Sequence, residues 1–151
     1  MILHIDYETR SAVNLFTEGA YRYAMSDTTS IICCGWAFDD DDIKIWIPGE
    51  PMDWDMASFL QGAGGPRSVH AHNAQFERLI TDFVLGPMLG WPSSAPMETW
   101  YCTAAQARAR GLPGALEDLG TCLNLNVKKD RRGKELIKLL CIPRKGVPSD
   151  A

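Results

Sequence analysis

Asp6 and Glu8 stand two positions apart in the run His4-Ile5-Asp6-Tyr7-Glu8-Thr9. On an extended chain, residues i and i+2 share a face, so the two carboxylates would lie side by side. Adjacent anions repel unless something neutralises them, and a hard divalent cation is the natural partner for carboxylate oxygens. D-x-E is also a common pattern, and two solvated acids on an edge strand account for it as well. A second segment, Val69-His70-Ala71-His72-Asn73-Ala74-Gln75-Phe76-Glu77, reads as a short strand entering a helix. Asn73 fits a helix cap. Glu77, about one turn later, could face the first strand; an exposed first-turn acid favoured by the helix dipole is the plainer account.

The elements that must position these residues follow from hydrophobic patterning. Met1–Tyr7 alternates and predicts a strand. The apolar run Ile31–Phe38 and the alternating run Ile43–Ile47 flank the acidic turn Asp39–Asp42, which predicts an antiparallel hairpin. Asp53–Gln61 reads as a short helix capped by Asp53. Ser68–Ala71 reads as a strand, and helical spacing over Asn73–Leu85 puts Phe76, Leu79, Ile80, Phe83 and Val84 on one face. After the Gly/Pro/Ser-rich stretch Gly86–Pro96, helices are expected over Thr99–Arg110 and from near Pro113 to about Leu123. Strands first and helices after, with one strand-to-helix alternation between, predict an α/β or α+β sandwich on a mixed sheet. The segment Lys128–Lys134 is basic, and the tail Pro143–Ala151 reads as unstructured.

With 151 residues the chain fits one domain. Its net charge of −4 lacks the basic signature of a duplex-DNA binder. Acidity is compatible with an enzyme whose carboxylates hold divalent cations, because bound ions reverse the local sign. No apolar run approaches the roughly 18–20 residues of a membrane span, and the first residues lack a secretory signal. A cytoplasmic protein without membrane partners is expected. The five cysteines are odd in number and show no C-x-x-C spacing, which predicts buried reduced thiols over a disulfide framework or a zinc site. No P-loop or Ser/His/Asp arrangement occurs.

Taken together, L-H-I-D-x-E-T, H-N-A-x-F-[DE], C-T-A-A-x-A-R-x-x-G-L-P-x-x-L-x-x-L and K-x-x-x-G-K-x-L-I span Ile2 to about Arg144. This set resembles the exonuclease domain of phage-encoded, family-A (polymerase I type) DNA polymerases, a member of the DnaQ-like or DEDD superfamily with a ribonuclease H-like fold. The resemblance implies 3′→5′ proofreading of single-stranded DNA ends by a two-metal mechanism, with a polymerase domain in a longer natural chain. It implies that Asp6 bridges two Mg²⁺ or Mn²⁺ ions and that Glu8 holds the ion positioning the attacking water. Asn73 and Glu77 fall on the second motif, where the superfamily has Asp in place of Glu77; the longer arm would reach a metal directly or through water. Leu3, His72, Asn73 and Phe76 would contact the fraying 3′ end, although apolar Leu3 and Phe76 fit plain core equally well.

Lys128, Lys129, Arg131, Arg132 and Lys134 could touch phosphates or simply form a solvated basic loop. The family's third motif, Y-x-x-x-D or H-x-x-x-x-D, is not found: Asp118, Asp130 and Asp150 all lack the preceding Tyr or His. Residues 1–151 therefore read as an exonuclease domain without its C-terminal helix and third motif. Two alternatives stay open: a catalytically impaired fragment acting only as a nucleic-acid-binding or interaction module, and a stand-alone ribonuclease of the same superfamily.

Overall fold

The structure, a computed structural model, describes residues 1–62, 67–92, 94–125 and 131–141. Strand β1 (Ile2–Arg10) alternates strictly: Leu3, Ile5, Tyr7 and Thr9 are buried, while His4, Asp6 and Arg10 are exposed. It pairs antiparallel with β2 (Ser30–Phe38), which turns back into β3 (Lys44–Trp46). The expected hairpin is therefore present. Its acidic turn also closes β1, because Asp39 Oδ1 accepts from the Ile2 N–H at 2.8 Å and the Asp39 N–H donates back to the Ile2 carbonyl at 2.9 Å. Asp39 holds a positive φ of 44°, which a short polar side chain tolerates. On the other side of β1, β4 (Ser68–Ala71) and then β5 (Trp100–Cys102) add in parallel. The result is a five-stranded mixed sheet in the order β3-β2-β1-β4-β5, with β1 at its centre. This is the α/β architecture expected of a ribonuclease H-like fold.

The helices α2 (Trp54–Leu60) and α3 (Ala74–Ile80) both cover the face that carries Leu3, Ile5 and Tyr7. Phe38, the cross-strand partner of Leu3, meets Phe59 of α2 with ring centroids 4.9 Å apart. Tyr7 reaches the end of α3 through a hydrogen bond to Thr81. Leu3, Met56, Leu60, Ile80 and Leu85 are fully buried between these layers. Each such side chain contributes roughly 1.5–3 kcal/mol of burial free energy.

Several elements depart from the sequence expectations. The helix beginning at Ala74 passes into a π turn at Thr81–Leu85 and continues as α4 (Gly86–Leu89). The wider π turn shifts the helical register, so Phe83 is 37% exposed while Thr81 and Leu85 are buried, and ahead of it Glu77 lies on the buried stripe of α3. A helix α1 (Leu15–Ala24) was not signalled by periodicity: Gly19 kinks it at φ 80°, and only Tyr23 and Ala24 are buried. Trp100–Cys102, expected to be helical, pairs with β4, and helix α5 (Thr103–Ala109) starts only afterwards. Helix α6 (Leu116–Cys122) is shorter than expected. Helix α7 (Arg131–Leu140) takes up Arg131, Arg132 and Lys134, where the sequence suggested a loop.

The expected cap on α2 is present, with Asp53 Oδ1 accepting from the N–H groups of Asp55 and Met56 at 3.0 and 3.2 Å. All five cysteines are free, but only Cys34 is buried and Cys122 is exposed, so the buried-thiol expectation holds for Cys34 alone. Lys128, Lys129, Asp130, Asp150 and the tail Pro143–Ala151 lie outside the described residues. Among those described, no helix is long and apolar enough to cross a membrane.

Candidate active site

Strand alternation puts Asp6 and Glu8 on the sheet face opposite α2 and α3, with Asp6 exposed and Glu8 half-buried. Their cross-strand partners on β2 are Gly35 and Cys33. A register shift between Glu8 and Thr9 bends the strand directly after the pair. Neither acid stands alone, since each makes polar or electrostatic contacts within the chain.

Glu77, the fourth residue of α3, lies on the helix stripe turned toward the sheet and is only 4% exposed. Its Oε2 is buried without a hydrogen-bond partner. Burial, with a smaller push from the charge of Asp6, holds the Glu77 carboxyl up at about 8 against a lowering backbone hydrogen bond. Glu77 therefore keeps its proton at neutral pH while nothing cationic binds it. The charge of Glu8 is felt instead by Cys33, Tyr23 and Cys141, the residue that follows α7. Asp6 thus faces the side of the sheet away from α3, and Glu77 feels it only through its charge; the charge of Glu8 reaches Cys141 at the end of α7.

The remaining expected residues have separate surroundings. Asn73 occupies the cap position of α3 but makes no side-chain cap hydrogen bond; its φ of −131° and ψ of 61° depart from the extended geometry that aims a cap side chain at the helix. The turn is closed by the backbone, with the Phe76 N–H donating to the Asn73 carbonyl at 2.7 Å. His72 Nε2 lies 2.8 Å from the Gly114 carbonyl, which can only accept, so Nε2 carries a proton; Nδ1 meets the Thr103 hydroxyl at 3.1 Å. The ring ties β4 to α5 and to the approach of α6. Leu3 is wholly buried beneath the helices, which fits core. Phe76 is partly buried against Tyr23, centroids 5.8 Å apart. Asp118 is exposed in the first turn of α6.

Mg²⁺ and Mn²⁺ take hard oxygen donors. Asp6, Glu8 and Glu77 supply that donor class, and the unpartnered Glu77 oxygen is the kind of atom a cation would satisfy. The fit is partial, because among the described residues no three His, Cys, Asp or Glu side chains converge closely enough to hold a metal.

Two features escaped the sequence reading. One is the Tyr7–Thr81 hydrogen bond beneath Asp6, invisible because the π turn was. The other is a groove of about 320 Å³ beside Asp6, lined by His4, Ala37, Ile43, His70 and Thr103 among others. Strand alternation alone would have grouped His4 with Asp6.

A DNA polymerase of Bacillus phage SP02 is 34% identical to this chain over 145 residues. The chain is thus similar to part of a phage DNA polymerase. The match takes in 95% of the chain but only 21% of that polymerase, so the domain spans about a fifth of its relative's length. No family model matches the chain.

Proposed function

We propose that this polymerase-related domain is a 3′→5′ exonuclease that removes nucleotides from single-stranded DNA ends for a polymerase carried by the same natural protein. The observation that carries the reading is the Glu77 carboxyl, buried with one oxygen unpartnered and within reach of the Asp6 charge. A buried acid that shares its surroundings with another acid is costly in a purely structural role. Perturbed carboxyls of this kind cluster at functional sites. Similarity to part of a phage DNA polymerase supports DNA as the substrate class.

A pair of divalent cations, when bound, supplies activated water and stabilisation of the leaving 3′ oxygen. On this reading Asp6, Glu8 and Glu77 would provide carboxylate oxygens to that pair, which requires them to draw closer together than they stand among the described residues. Glu77 must give up its proton to do so, so ion binding below pH 8 releases a proton.

The test is a 5′-labelled single-stranded oligonucleotide incubated with the chain and Mg²⁺ or Mn²⁺. A ladder shortened from the 3′ end, absent with chelator and absent in Asp6→Asn, is expected. A second reading, a nucleic-acid-binding module without catalysis, is favoured by the lack of a convergent third ligand among the described residues. It would show as oligonucleotide binding with no ladder in either metal.

A further inference from the structure

Gly35 sits in the interior of β2, between its cross-strand partners Asp6 on β1 and Ile45 on β3. A glycine there weakens a strand, because it packs no side chain and loses much chain freedom on folding. A fold requires one at a bulge, at a backbone conformation closed to other residues, or where a second backbone approaches closely. None of these applies to Gly35. Pairing of β1 with β2 runs in continuous register from Leu3 to Glu8, and the shift comes only beyond Glu8. Gly35 is not among the glycines with positive φ. A Cβ built on it would meet the Ile45 Cδ1 at 3.8 Å and the Asp6 carbonyl oxygen at 3.9 Å, both ordinary van der Waals separations. Backbone and packing therefore both admit a side chain at this position.

What a side chain would take away is open space beside an acid. Residues directly opposite on paired strands present their side chains to the same face, so the missing Cβ lies on the side of the Asp6 carboxylate. Both residues line the groove of about 320 Å³, together with Ile43. A valine at position 35 would set two methyl groups in that groove next to Asp6. The remaining reason for a glycine within a strand is the close approach of a ligand. A cation such as Mg²⁺, held by one or two carboxylates, keeps several of its waters, and so needs more room than the bare ion.

We propose that Gly35 is a specificity-determining residue of the candidate site: the side chain it lacks leaves room beside the Asp6 carboxylate for a divalent cation that keeps part of its water shell. The choice of ligand rests on the metal reading of Asp6 given above. Gly35 donates nothing to the cation and acts only through the space it leaves.

The test compares stability with cation affinity. Urea unfolding in chelator should give Gly35→Ala and Gly35→Val midpoints no lower than wild type. Mn²⁺ binding is then read from the loss of the free-ion electron paramagnetic resonance signal, with Asp6→Asn as the background from other acids. The Asp6-dependent part should weaken in Gly35→Ala and fall roughly tenfold or more in Gly35→Val, the size of loss met when residues around metal ligands change. If the valine variant is destabilised, the alanine variant decides. Lower midpoints for both variants would make the glycine structural and overturn the inference, as would stable variants that bind Mn²⁺ like wild type. The two readings fail separately. Equal binding by wild type and Asp6→Asn removes the metal reading of Asp6 and the inference with it. Binding lost in Asp6→Asn but kept in Gly35→Val removes the inference alone. Binding lost in both, with no cleavage ladder from wild type, removes the exonuclease reading and leaves Gly35 its role.

Discussion

The phenol of Tyr7 and the hydroxyl of Thr81 meet at 3.1 Å between the central strand and the π turn. Thr81 also donates to the Glu77 carbonyl at 2.9 Å. Its single proton is engaged there, so Tyr7 must be the donor between the two hydroxyls. Both side chains are buried, at 4% and 0% exposure. The bond fastens the end of the helix that carries Glu77 to Tyr7, the residue next to Asp6.

That chain of donors predicts unequal losses from its two ends. Thr81→Val leaves the Tyr7 hydroxyl buried without an acceptor, which costs about 1–3 kcal/mol. Tyr7→Phe leaves Thr81 still bonded to the Glu77 carbonyl and costs about 1 kcal/mol. Urea unfolding should therefore show a larger midpoint drop for Thr81→Val. Equal losses would mean that the phenol finds another acceptor.

Glu77 predicts a pH dependence of stability. Its folded-state value of about 8 lies above the ordinary carboxyl value of 4.5. Between those values the folded chain holds a proton that the unfolded chain has lost, so stability declines as pH rises across that window. It is fully present below about pH 4.5 and the loss is complete above about pH 8. The difference is on the order of a few kcal/mol in metal-free buffer. Glu77→Gln, which keeps shape without a titratable proton, should flatten the curve. A wild-type curve already flat from pH 5 to pH 8 would refute this, the window being set by the same two values.

The sheet was legible because its strands obey local rules. Alternation along β1, the apolar run of β2 and the acidic turn after it each signal structure without help from elsewhere. The edge strand Trp100–Cys102 was not legible, because three residues carry no period and their strand state comes from pairing with β4. The π turn was missed for a related reason: nothing in Thr81–Leu85 breaks a 3.6-residue pattern, and the shift shows only in which side chains end up buried. Asp6 and Glu8 could be placed on one face from spacing alone. The neighbourhood of Glu77 could not, because its burial depends on where α3 packs.

The cysteines offer a check on burial. Cys122 is exposed on α6, whereas Cys34 is wholly buried, and burial pushes its thiol far above the ordinary range. Thiolate rather than thiol reacts with alkylating agents. Iodoacetamide at pH 8 should therefore label Cys122 first and Cys34 only on unfolding, read by peptide mass spectrometry. Early labelling of Cys34 would mean that β1 and β2 open in the folded chain.

The carboxylates make a final prediction about cations. An ion that binds only the folded chain raises its stability by RT ln(1 + [ion]/Kd), about 2.7 kcal/mol at a hundredfold excess over Kd. Mn²⁺ or Mg²⁺ should accordingly raise the melting temperature of the wild type. Asp6→Asn, which removes charge but little volume, should lose most of that rise. The effect should also grow with pH, because an ion at this site competes with the proton that Glu77 holds up to about pH 8. In wild type the cation-induced shift should be small at pH 6 and level off above pH 8, the point set by the Glu77 carboxyl. In Glu77→Gln that pH dependence should disappear even if some binding by Asp6 survives. Equal shifts in wild type and Asp6→Asn would place the ions elsewhere on this acidic chain, and the metal reading of Asp6 would fall with them.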